Sequence, residues 1–155
     1  MKIKHVAAFS GLCLSLVAGV ANSAAVCPGT GASLSRTALA TLLVGNTVCV
    51  SNGSGGWLAQ EQHLGTGLSG VLQDYKRGPG HATDPTTTIP ALGSWTISGP
   101  AVGQAVPSSV TYNYAGGSSF NYRVWVRGAN HDFCPVGAGT ATEATMKSGT
   151  AGGCP

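Results

Sequence analysis

Charge is scarce in this chain: only 8% of its 155 residues are Asp, Glu, Lys or Arg. Past the N-terminal segment, Arg36, Lys76, Arg77, Arg123, Arg127 and Lys147 face Glu61, Asp74, Asp84, Asp132 and Glu143, a net charge of about +1. Nucleic-acid binding needs a clustered basic face, and Lys76-Arg77 and the Arg123/Arg127 pair are too sparse to supply one. Metal and redox motifs are missing as well. No two cysteines have C-x-x-C spacing, and His63, His81 and His131 are far apart, with no H-x-H or H-E-x-x-H pattern to join them to Asp84 or Asp132. Ser54 lies in a Gly-Ser-Gly turn without the flanks of a nucleophile elbow, and the glycines of residues 65–70 precede a strand rather than a helix, which argues against a phosphate cradle. The expectation is a protein that is not an enzyme and has no cofactor, metal or nucleic-acid partner.

Long apolar runs are also lacking, with one exception. Residues 6–20 are apolar or small, follow the basic Met1-Lys2-Ile3-Lys4 and precede the small residues Ala21-Asn22-Ser23-Ala24-Ala25. The run is shorter than the ~20 residues a spanning helix needs, so residues 1–24 read as a secretory signal peptide and no membrane span is expected. Cys13 falls inside this leader, well before the cleavage site, and no lipid anchor is expected. Residues 25–155 then form one secreted or periplasmic domain. Their four cysteines, Cys27, Cys49, Cys134 and Cys154, suit disulfides in an oxidising compartment. A meander that closes on itself would bring an early strand beside a late one, so the expected pairs are Cys49 with Cys134, and Cys27 with Cys154 to tie the tails.

What the chain has in abundance is turn residues and alternation. Residues 34–43 read as a short helix that Ser33 or Ser35 can cap and Gly45 can end. Strands are expected at 46–50, 57–64, 68–76, 92–98, 109–114, 120–127 and 132–136, while 137–155 is weakly patterned. The clearest is a hairpin in which Val110, Tyr112 and Tyr114, then Phe120, Tyr122, Val124 and Val126, alternate with polar residues around Gly116-Gly117. Six to eight antiparallel strands suggest an all-β, small antiparallel meander barrel with a short N-terminal helix; a two-sheet β-sandwich is the alternative.

"LLVGNTVCV", Trp57 with Glu61, "DYKRGP" and Gly93-Ser94-Trp95 together resemble small secreted bacterial proteins with lipocalin-like β-barrels. The resemblance spans roughly residues 42–126. Lipocalins carry their Gly-x-Trp on the first strand, whereas here it falls mid-chain. The resemblance implies a barrel and no catalytic residues.

In a strand at 57–64, Trp57, Ala59, Glu61 and His63 share one face, and Leu58, Gln60, Gln62 and Leu64 the other. If the first face points inward, Glu61 and His63 enter the barrel, Asp74 on the next strand joins them, and Arg123 is a candidate partner for the buried carboxylate. Trp57, Glu61, His63, Asp74 and Arg123 are therefore the candidate ligand-binding residues, and Gln62 is expected to tolerate substitution. The long loop at 77–91, with Arg77, His81 and Asp84, is a candidate rim. Two functions fit: a carrier of a small or apolar ligand, and a structural or interaction module such as a matrix or filament subunit or an inhibitor, with self-association through strand edges.

Overall fold

A computed structural model describes residues 27–28, 32–75, 88–100 and 107–155. The leader at 1–24 and most of the candidate rim, up to residue 87, lie outside the described residues.

Among the described residues, one short helix precedes eight strands. The helix α1 (Arg36–Leu43) starts where the Ser35 hydroxyl accepts from the Ala38 N–H, and it stops at Gly45, whose φ of 71° lies in the left-handed region. Leu39 and Leu43, one turn apart, are fully buried. The strands are β1 (Asn46–Ser51), β2 (Trp57–Thr66), β3 (Ser69–Tyr75), β4 (Thr88–Ser98), β5 (Ser109–Tyr114), β6 (Ser119–Arg127), β7 (Asn130–Pro135) and β8 (Thr142–Ser148). Each pairs antiparallel with the next in sequence, and β8 pairs with β1 to close a barrel. The expected all-β meander barrel with a short helix is what forms, rather than the sandwich.

Closure depends on a strand that the sequence hides. In Thr142-Glu143-Ala144-Thr145-Met146-Lys147-Ser148 the inward residues are Thr142, Ala144, Met146 and Ser148, with a single large apolar side chain among them. β8 inserts between β7 and β1, and this overturns the expected disulfides. Cys49 on β1 and Cys134 on β7 are two strand spacings apart, about 10 Å, and offset by four residues along β7 as well, beyond the reach of a disulfide. Both side chains point outward, and each captures a tail instead: Cys27 bonds Cys134 and Cys49 bonds Cys154, with Cα separations of 5.6 and 6.0 Å.

The captured C-terminal tail runs along the outside of β1 and β2. Thr47 Oγ1 donates to the Gly149 carbonyl (2.7 Å), Gln62 Nε2 to that of Gly152 (3.0 Å), and the Cys154 N–H to Gln60 Oε1 (2.6 Å). Gln60 and Gln62 are thereby buried although they face away from the barrel interior. The expectation that Gln62 tolerates substitution is corrected accordingly, because its amide satisfies a carbonyl that the tail presents to the wall. Gln62→Ala should lower the unfolding free energy by about 1–3 kcal/mol in denaturant titrations with disulfides intact.

The core fills the helix end of the barrel, where α1 packs against β1, β4 and β5. Leu39, Leu43, Leu72, Trp95, Ile97, Val110 and Val124 make up most of it. Two glycines let strands approach beneath Trp95. A Cβ at Gly70, opposite Trp95 in register, would sit 1.8 Å from the Leu64 carbonyl oxygen, and one at Gly93 would sit 2.1 Å from that of Asn113. The same Leu64 carbonyl accepts from Trp95 Nε1 (3.2 Å). Gly70→Ala should therefore cost about 1–3 kcal/mol through overpacking, with an altered near-ultraviolet signal from Trp95 to check the location.

Candidate functional site

Among the described residues, the end of the barrel away from α1 holds a cavity of about 270 Å³. Alternation along each strand determines its lining: Val48 and Val50 from β1, Ala59 and Glu61 from β2, Tyr112 and Tyr114 from β5, Tyr122 from β6, Phe133 from β7 and Thr142 from β8, with Leu58 at the lip. The wall is mostly aliphatic and aromatic, with hydroxyls and one carboxylate in it.

Glu61 stands at mid-height on β2, directly opposite Val48 on one side and Asp74 on the other. This is the cross-strand placement the sequence suggests for Glu61 and Asp74. The Tyr114 hydroxyl, fifty-three residues away in sequence, donates to Glu61 Oε1 at 2.5 Å. Asp74 is buried and accepts from the Gln60 N–H (3.3 Å) through Oδ1. Burial raises the pKa of Tyr112, Tyr114 and Tyr122, and the Glu61 charge raises all three further. The tyrosines therefore keep their protons and act as neutral donors.

His63 lies deeper than Glu61, opposite Leu72, with no exposed surface. Its Nδ1 is 3.1 Å from the Glu61 carbonyl, which can only accept, so Nδ1 carries the proton. Nε2, 3.0 Å from the Tyr112 hydroxyl, then accepts from it. Burial pushes the His63 pKa down to about 4, against small opposing effects from backbone hydrogen bonds to Glu61 and Asn46. His63 is thus a neutral member of the packed layer beneath the cavity, between Trp95 and Tyr112 at ring-centroid distances of 5.6 and 5.5 Å.

Two candidate residues fall elsewhere. Arg123 lies between the inward-facing Tyr122 and Val124 and so points outward from β6, away from the cavity. It is no partner for Glu61, and the correction follows from the alternation that puts Tyr122 inside. Trp57 pairs with Ser51 across a register shift at the start of β2, and Leu58 and Ala59 line the cavity there instead. His131, at the start of β7, is at the helix end of the barrel beside Leu42 and Met146. Among the described residues, no three His, Cys, Asp or Glu side chains come together to hold a metal. The other acidic residues described, Asp132 and Glu143, bind Arg127 on the outer face, where Asp132 takes its Nε (2.8 Å) and one Nη (3.0 Å).

The alternation of the hairpin places Tyr112, Tyr114 and Tyr122 on one face. Their convergence on Glu61 depends on the curvature that turns β5 and β6 toward β2 across the lumen, and residue spacing carries no sign of it. No helix among the described residues is long and apolar enough to cross a membrane. Searches against protein-family models, curated proteins and solved structures found no match to this chain.

Proposed function

We propose that this chain is an exported, non-enzymatic calyx of lipocalin-like kind that takes a small, largely apolar ligand into the cavity at the end of its barrel away from α1. The observation that carries this reading is the 270 Å³ cavity, close in size to the smaller ligand sites and lined, as such sites are, by apolar surface with a few oriented polar groups. α1 packs at one end of the barrel, and the cavity lies toward the other. Two disulfides support a periplasmic or extracellular location. The neutral, doubly hydrogen-bonded His63 favours binding over acid–base chemistry. The alternative of a structural or interaction module drew on exposed strand edges, and a closed barrel, in which every strand has two neighbours, weakens that basis.

A thermal-shift screen of small aromatic and aliphatic compounds tests the proposal. Compounds that fit should raise the unfolding temperature of the natural protein and not that of Ala59→Trp, whose indole would fill the cavity. A screen in which no compound separates the two proteins would refute the calyx reading. Concentration-dependent growth in size-exclusion chromatography would favour the module.

A further inference from the structure

The wall across the lumen from β1 and β2 is a block of rings. Tyr112 and Tyr114 on β5 lie nearly parallel, 27° between planes with centroids 6.5 Å apart, and so do Phe120 and Tyr122 on β6, at 20° and 6.4 Å. The two pairs meet edge to face, Tyr112 with Tyr122 at 6.0 Å and Tyr114 with Phe120 at 5.8 Å. Phe133 on β7 adds an edge contact to Tyr122 at 6.2 Å. From β1 and β2 the cavity receives only the smaller aliphatic side chains Val48, Val50 and Ala59 beside Glu61 and Leu58. Two of the three tyrosine hydroxyls are committed within the fold, that of Tyr112 to His63 Nε2 and that of Tyr114 to Glu61 Oε1. The third is not: among the described residues the Tyr122 hydroxyl has no hydrogen-bond partner, although its side chain lines the cavity.

Resting on the calyx reading, we infer that the occupant is a neutral aromatic molecule bearing one hydrogen-bond acceptor, its ring packed against Tyr112, Tyr122 and Phe133 and its acceptor on the Tyr122 hydroxyl. Aromatic pairs in offset or edge-to-face contact gain more than their buried area alone supplies. A wall that holds rings in two nearly perpendicular orientations offers an incoming ring both kinds of contact, whereas a saturated ligand of the same size gains from area only.

The acceptor follows from Tyr122. A ligand that covers this side chain takes its hydroxyl out of water, which is costly unless a new hydrogen bond replaces the lost one. A pure hydrocarbon gives nothing back; a carbonyl or ether oxygen does. Burial and then the Glu61 charge raise the Tyr122 pKa, so the hydroxyl keeps its proton and donates, and the same charge disfavours an anion as the acceptor.

Three probes of nearly one shape separate the cases: acetophenone, cyclohexyl methyl ketone and ethylbenzene, each titrated into the intact disulfide-bonded protein by calorimetry or NMR. Acetophenone should bind about three- to tenfold more tightly than either of the others, which lack the aromatic ring and the acceptor respectively. Tyr122→Phe keeps the ring and should weaken acetophenone about three- to tenfold but ethylbenzene less than about twofold. The comparison among probes needs no variant, so it stands even if Tyr122→Phe folds poorly. Equal or tighter binding of cyclohexyl methyl ketone overturns the aromatic assignment, and an equal effect of Tyr122→Phe on acetophenone and ethylbenzene overturns the hydrogen bond; either result keeps the calyx. Failure of all three probes while other compounds still distinguish the natural protein from Ala59→Trp also overturns the inference and keeps the calyx. If no compound in either experiment binds, both readings fall.

Discussion

Replacing Cys49 and Cys154 together by serine should lower the unfolding free energy by about 4–5 kcal/mol, since the bond closes a loop of roughly a hundred residues in the unfolded chain. The serines remove little packing of their own, so a loss of that size reports the tether. A second consequence separates this bond from Cys27–Cys134. Once the tail can leave the wall, Gln60, Gln62 and Thr47 lose the hydrogen bonds that bury them, and amide exchange should accelerate along β1 and β2 before the rest of the barrel. Cys27→Ser with Cys134→Ser should destabilise by a similar amount without that local pattern. Peptide mapping under non-reducing conditions should recover Cys49 with Cys154, and recovery of Cys49 with Cys134 would contradict the barrel order itself.

The second large effect is acid sensitivity centred on His63. In the unfolded chain its imidazole takes up a proton near its ordinary pKa of 6.5, whereas in the folded protein burial holds it off until about 4. Between those values the unfolded state binds more protons, so stability rises with pH through the window and is lost as pH falls from 6.5 towards 4. A shift of this size corresponds to about 3 kcal/mol. Denaturant unfolding measured across pH 4–7 should show that slope, and His63→Gln should flatten it. His131, half-buried at the helix end, is pushed down by its own burial and adds to the slope in the same direction, so the variant should keep a small remainder. An unchanged slope in His63→Gln would mean that the imidazole is more accessible than its position between Trp95 and Tyr112 implies.

Legibility from the sequence followed the strength of local patterning. The β5–β6 hairpin, with large apolar residues every second position around Gly116-Gly117, forms where its alternation places it, with Val110 opposite Tyr122 and Tyr112 opposite Phe120. The opposition of Glu61 and Asp74 was readable because a tight turn at Gly67 leaves few registers open. The outward side of Arg123 was readable too, since it alternates with Tyr122 and Val124. β8 was not, because Met146 is the one large apolar residue among the threonine, alanine and serine of its inner face, too little to make an alternating signal, and with β8 went the disulfide pairing. Burial of Gln62 was hidden for another reason. It comes from a glycine-rich tail that is irregular in itself and is positioned only by Cys49.

The pairing of β8 with β1 also governs when the molecule can become whole. Residues 142–148 belong to the strand that completes the ring, so a chain emerging from its N-terminus presents β1 with one side unpaired until almost all of its length has appeared. Local hairpins can form early, whereas the last seam joins segments about a hundred residues apart and waits on the slow step of long-range contact. Through that interval Val48 and Val50 lie beside bare backbone amides, the arrangement that invites another chain to add a strand. A polypeptide ending before Thr142 would keep that seam open permanently.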